Sequence, residues 1–159
     1  MHPKYPNVFS PIKLGPVELP NRFYSSPHAV PMNILGKPTD DFIHYNVART
    51  RGGCGLLILS MAAHGRVRSV WPNIGPAEHV AAFRALTDAV HGAGGKIFGE
   101  PWYFWGLPGQ WAPLSPPAPA LGPSVGQFRF HDKGWATREM STEDIRRMLD
   151  TFRQATVNL

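Results

Sequence analysis

The run Gly55-Leu56-Leu57-Ile58-Leu59-Ser60 limits the fold more than any other stretch of the chain. It is apolar without alternation, so a strand built from it presents greasy side chains to both faces. Both faces then need a cover, and a parallel sheet flanked by helices supplies one. The flanking residues fit such a unit. Upstream, Thr39 offers a hydroxyl cap, Asp40 and Asp41 suit the positive end of a helix dipole, and Phe42, Ile43, Tyr45, Val47 and Ala48 give a partly apolar face. Gly52-Gly53 ends that helix. Downstream, Pro76 suits a helix start, and Val80, Phe83, Leu86, Thr87 and Val90 form one stripe over residues 77–91. Gly92, Gly94 and Gly95 close it, and Ile97-Phe98 follows as a short apolar strand that runs into Glu100.

The same signals occur earlier. Asn21 to His28 reads as a strand that stops at Pro27, because proline donates nothing to a ladder. Ahead of it, Ile12-Lys13-Leu14 and Val17-Glu18-Leu19 alternate around Gly15-Pro16, which predicts a small hairpin. Residues 29–38 read as a loop. Beyond Glu100, Tyr103 to Met140 has no helical periodicity, and a loop of that length in a compact domain is a lid or binding loop. Gln127-Phe128-Arg129-Phe130 can form a hairpin arm within it. Ser141 to Asp144 then opens a third helix as an N-cap with an acid three residues on, and Ile145, Met148, Leu149 and Phe152 form its expected buried stripe.

The order is therefore hairpin, β, α, β, α, β, long loop, α. Alternating βα units with buried strands predict an α/β fold with a parallel sheet, and the leading hairpin favours a barrel plugged at its base. A complete (β/α)₈ barrel takes roughly 250 residues. The expectation is the N-terminal portion of such a TIM barrel, residues 1–159 forming a partial barrel domain that stops before the fourth strand. In this frame His28, the Ser60–His64 turn and Glu100 share the rim where strands end and sites are built.

Composition narrows the function classes. The net charge of +5 is spread over separate pairs, Arg49 and Arg51, Arg66 and Arg68, Arg146 and Arg147, and aromatics do not interleave with them, which argues against nucleic acid. The single cysteine excludes an internal disulfide and points to a reducing cytoplasm. The start carries no apolar h-region, and no run is long enough to span a membrane. An open edge at the third strand would favour homo-oligomers.

Val8-Phe9-Ser10-Pro11-Ile12-Lys13-Leu14-Gly15-Pro16-Val17-Glu18-Leu19-Pro20-Asn21-Arg22-Phe23 resembles the opening of the old yellow enzyme family of FMN-dependent NAD(P)H:flavin oxidoreductases, with its dienoyl-CoA reductase and trimethylamine dehydrogenase branches. Further stretches match in order: Ser26-Pro27-His28, Gly36 to Asp41, Ala48 to Leu56, Ala93 to Phe98 and Arg138 to Ile145. The resemblance implies FMN across the C-terminal mouth of a barrel, NAD(P)H as electron partner, and an activated alkene or an amine as substrate. It places Ser26, Pro27 and His28 beneath the flavin ring. Ala29 stands where Thr or Cys often tunes the flavin, and Ala29 has no group to do so. Met61 stands beside the ring, either packing on it or filling core. Glu100 replaces a common Gln, whose amide both donates and accepts; an ionised carboxylate only accepts. Either burial keeps Glu100 protonated, or the flavin binds weakly or with altered potential. Pro101 to Trp105 adds aromatics that line a pocket for a flat substrate or pack on one another. In the family the substrate-anchoring pair, the proton-donating Tyr and the phosphate clamp lie on later strands. Iron–sulfur ligands and an FAD domain belong to longer branches. No catalytic residue is assigned within this chain.

Two other readings remain open on the residues. His28, His64 and Glu100 end or follow the three strands and form a set able to bind a divalent metal for hydrolysis. A truncated, non-catalytic remnant is the other.

Overall fold

In the computed structural model, which describes residues 4–28, 30–63, 70–103, 120–130 and 133–159, the chain opens with the expected hairpin. β1 (Ile12–Leu14) and β2 (Val17–Leu19) pair antiparallel, Leu14 opposite Val17. The turn works because Gly15 adopts φ +56° without a Cβ clash. The segment after the hairpin is tied to the N-terminal side of the sheet. Asn21 Nδ2 donates to the Gly53 carbonyl at 2.9 Å, and the Gly55 N–H donates to the Phe23 carbonyl at 3.1 Å. Leu19 is buried there.

β3 covers only Tyr24–Ser25. Residues 29–38, expected as loop, hold a second small hairpin, β4 (Asn33–Ile34) with β5 (Lys37–Pro38). Its two turn residues, Leu35 and Gly36, have φ of 52° and 82°. Such turns ordinarily announce themselves as Asn-Gly, and leucine in that place hides the signal. A Cβ on Gly36 would lie 2.9 Å from Asn73 Cβ, so this glycine is also required by close approach.

Helix α1 (Asp40–Arg51) is capped by Thr39, whose hydroxyl accepts the Phe42 N–H. β6 (Leu56–Ala62) follows. The next helix begins as a 3-10 turn, Ala77–His79, before α2 (Val80–Gly92). β7 (Lys96–Trp102) then runs past Glu100 for two more residues. β3, β6 and β7 form one parallel sheet in that order. The sheet is not closed. This is the parallel α/β arrangement predicted for part of a barrel.

Residues 103–140 are not simply a loop. β8 (Ala120–Gly122), β9 (Gly126–Phe130) and β10 (Lys133–Glu139) make a three-stranded sheet. The hairpin arm expected at Gln127–Phe130 is there, paired antiparallel with β10. Helix α3 (Thr142–Asn158) has a capping box formed by Ser141 and Asp144. Its expected buried stripe is a correction: Ile145 and Leu149 are 39% and 57% exposed. Among the described residues, apolar docking is by the second half of α3. Ala155 is fully buried, Phe152 lies 6.1 Å from the Tyr103 ring, and Asn158 Nδ2 donates to the Ile74 and Gly75 carbonyls. The first half is held by polar groups instead. Asp144 accepts from Arg138 Nη1 at 2.8 Å and Arg147 Nη2 at 2.6 Å, besides the Ser141 N–H. No described helix is long and apolar enough to cross a membrane.

Candidate functional site

Register decides what can meet. Leu57, Leu59 and Met61 lie opposite Ile97, Gly99 and Pro101, and strand alternation puts these residues on one face. That face is covered: Leu57, Leu59 and Met61 join Phe42, Phe83, Leu86 and Val90 in the core beneath α1 and α2. The other face carries Ile58 with Phe98, Ser60 with Glu100, and Ala62 with Trp102. Tyr24, opposite Leu56, belongs to it as well. It is open only in part: Tyr24 is 60% and Phe98 37% exposed, while Leu56 and Ala62 on the same face are 3% and 0% exposed.

Ser60 and Glu100 thus stand side by side on the open face, as a shared rim requires. Ser60 lies within a strand, not at its end, because β6 continues to Ala62. Glu100 is exposed. Met61 is 3% exposed with its side chain in the helix-side core. Ala29 and His64 lie outside the described residues, as do Arg66, Arg68, Phe104 and Trp105. Of the remaining aromatics, Trp102 faces the open side and Tyr103 packs on Phe152.

Ser26 is exposed and Pro27 half-buried at the end of β3. His28 does not turn toward Glu100. Its Nε2 lies 2.9 Å from the Tyr45 hydroxyl of α1, and its Nδ1 lies 3.2 Å from the Ser26 carbonyl. The guanidinium of Arg49 sits 4.3 Å over the Tyr45 ring and donates to Ser25 Oγ at 2.8 Å. Sequence reasoning gave Tyr45 to an apolar helix face and Arg49 to a solvated surface. The signal that finds them is their four-residue spacing, which stacks both on one flank of α1. The His28/His64/Glu100 metal set is not assembled by what is described: His28 is engaged with Tyr45, and no group of three or more His, Cys, Asp or Glu that could hold a metal occurs among the described residues.

The chain and its fold match known proteins. The NADH:flavin oxidoreductase / NADH oxidase family matches residues 7–158. The chain belongs to this family. The NADH oxidase of Thermoanaerobacter brockii is 31% identical over 160 residues, covering 96% of this chain and 24% of that protein. The N,N-dimethylglycine/sarcosine dehydrogenase of Chromohalobacter salexigens is 31% identical over 153 residues, covering 92% and 22%. Old Yellow Enzyme from Pichia sp. AKU4542 superposes with a TM-score of 0.81 at 26% identity, covering 96% of this chain and 42% of that one. The chain therefore corresponds to the N-terminal portion of the family's barrel and spans less than a quarter of the length of these two curated relatives.

Proposed function

We propose that residues 1–159 form a partial FMN-binding barrel domain, one wall of the cofactor site of an oxidoreductase that passes hydride between NAD(P)H and a small activated alkene or amine. The observation that carries the reading is the pairing of Ser60 with Glu100 on the sheet face away from the helices, two strand positions beyond exposed Phe98, in a chain matched to the family over residues 7–158.

These residues fit a flavin. A flat ring needs apolar surface along its plane and a few polar groups at one edge. The open face offers both. When bound, FMN supplies the hydride-carrying chemistry, and the protein orients it. Ser26, Pro27 and His28 contribute main chain and small side chains to the floor. Ala29 adds no hydrogen bond. Met61 contributes through its main chain, because its side chain is committed to the core. Glu100 accepts from a ring N–H at the pyrimidine edge, and its negative charge disfavours further negative charge on the ring. No residue here is assigned the proton donor's role. The small-molecule substrate, homo-oligomer formation and cytoplasmic residence are part of the same proposal.

The test is direct. The 159-residue chain is mixed with FMN and desalted, and the flavin absorbance that stays with protein is recorded. Near-stoichiometric flavin is expected. Loss of all flavin on desalting, with no saturable change in flavin fluorescence at micromolar protein, would overturn the reading.

A further inference from the structure

We infer that Tyr45 and Arg49 are positioning residues that fix the Ser25–His28 segment, and through it the flavin; this rests on the site proposed above. β3 stops at Ser25, so the sheet ladder does not hold residues 26–28. Pro27 has no N–H to donate. Among the described residues, the side-chain cluster on α1 holds it instead. The Ser26 carbonyl can only accept, so its 3.2 Å contact puts a proton on His28 Nδ1. In neutral His28, Nε2 then presents a lone pair, and the Tyr45 hydroxyl donates to it at 2.9 Å. Protonation of His28 reverses that bond without breaking it, because a phenol hydroxyl also accepts. Arg49 fixes the other end: its guanidinium stacks on Tyr45 and reaches Ser25 Oγ at 2.8 Å. A planar, multi-donor group can do both at once, and an ammonium cannot. The chain path from Ser25 to His28 is therefore clamped at its two ends by residues four apart on one helix.

The decisive variant is Tyr45→Phe, which deletes one oxygen from a half-buried ring. Flavin fluorescence titration, the visible spectrum of bound FMN and the ¹⁵N shifts of the His28 imidazole are read in wild type and variant. The variant is expected to bind FMN roughly two- to tenfold more weakly, the fold-change of one neutral hydrogen bond. It is also expected to shift the bound flavin's visible band and the His28 nitrogens. Wild-type affinity and spectrum in Tyr45→Phe overturn the inference while leaving the flavin site standing. Unmoved His28 nitrogens overturn the contact itself. A wild-type chain that takes up no FMN overturns both readings. Should Tyr45→Phe fail to fold, Arg49→Lys carries the same test, with weaker FMN binding expected and wild-type binding overturning the inference.

Discussion

The two faces of the β3–β6–β7 sheet come from the same strands, yet they are finished differently. Toward the helices, Leu57, Leu59 and Met61 are at most 7% exposed and pack with Phe83 and Leu86. On the opposite side, Tyr24 is 60% exposed and Phe98 37%, with Glu100 and Ser60 between apolar neighbours. Burial of apolar surface is what stabilises a sheet–helix layer, at roughly 25 cal/mol per Å². The helix side collects that stabilisation. The opposite side collects less, chiefly at Leu56 and Ala62, and it carries the polar pair Ser60 and Glu100. In a complete parallel barrel the face away from the helices is the packed interior, and chemistry sits at the C-terminal ends of the strands, where Glu100 lies near the end of β7.

The sharpest way to break this contrast is a matched pair of truncations at neighbouring β3–β6 positions. Leu57→Ala removes a side chain that is 2% exposed and leaves a cavity, so a loss of about 2–5 kcal/mol is expected. Tyr24→Ala, at a ring 60% exposed, is expected to cost less than about 1 kcal/mol. Urea unfolding of both measures the difference. Equal losses would mean that the open face is packed in solution, and the contrast between faces would fall.

A smaller effect tests how α3 is fastened to the covered side. Ser141→Ala removes the cap hydroxyl and is expected to cost about 1 kcal/mol at neutral pH. Asp144 gives the same element a pH signature. The Arg138 guanidinium, then the Ser141 backbone and hydroxyl, hold its carboxyl well below the usual carboxylate range. Unfolded, that carboxyl titrates near about pH 4. Below that value the unfolded chain takes up a proton the folded chain refuses. The stabilisation is therefore complete above about pH 4 and is lost as pH falls toward the depressed folded value. Asp144→Asn flattens this acid limb, and urea midpoints between pH 3 and 7 show it. An unchanged acid slope in the variant would remove Asp144 from the account.

What was legible in the sequence were features whose cause is local. The Gly15 turn, the Thr39 cap, the Ser141–Asp144 box and the unalternating Leu56–Leu59 run each carry their physics within a few residues, and each appears where expected. What was hidden depends on distant partners. β8 pairs parallel with β10 across the intervening β9, so Ala120–Gly122 announces nothing by itself. The apolar spacing of Ile145 and Leu149 predicts burial only if something covers them. His28 shows the same limit at the site. Its place after β3 was readable, but its direction depends on Tyr45, 17 residues away. Glu100 lies beside Ser60 through the β6–β7 register, which joining one parallel sheet does not by itself fix.

Glu100 also offers the least disruptive test of the open face. Glu100→Gln exchanges an exposed carboxylate for an amide of nearly the same shape, so a stability change within about 0.5 kcal/mol is expected. Flavin affinity should move more than stability does. A carboxylate accepts from a ring N–H but cannot donate to a ring carbonyl, and its charge opposes negative charge on the flavin. An amide donates and accepts, and it adds no charge. The variant is expected to bind FMN roughly two- to tenfold more tightly, the worth of one added hydrogen bond. Fluorescence titration against wild type measures it. If affinity is unchanged or weaker while folding is intact, Glu100 does not contact the pyrimidine edge, and the polar pair on the open face needs another ligand to explain it.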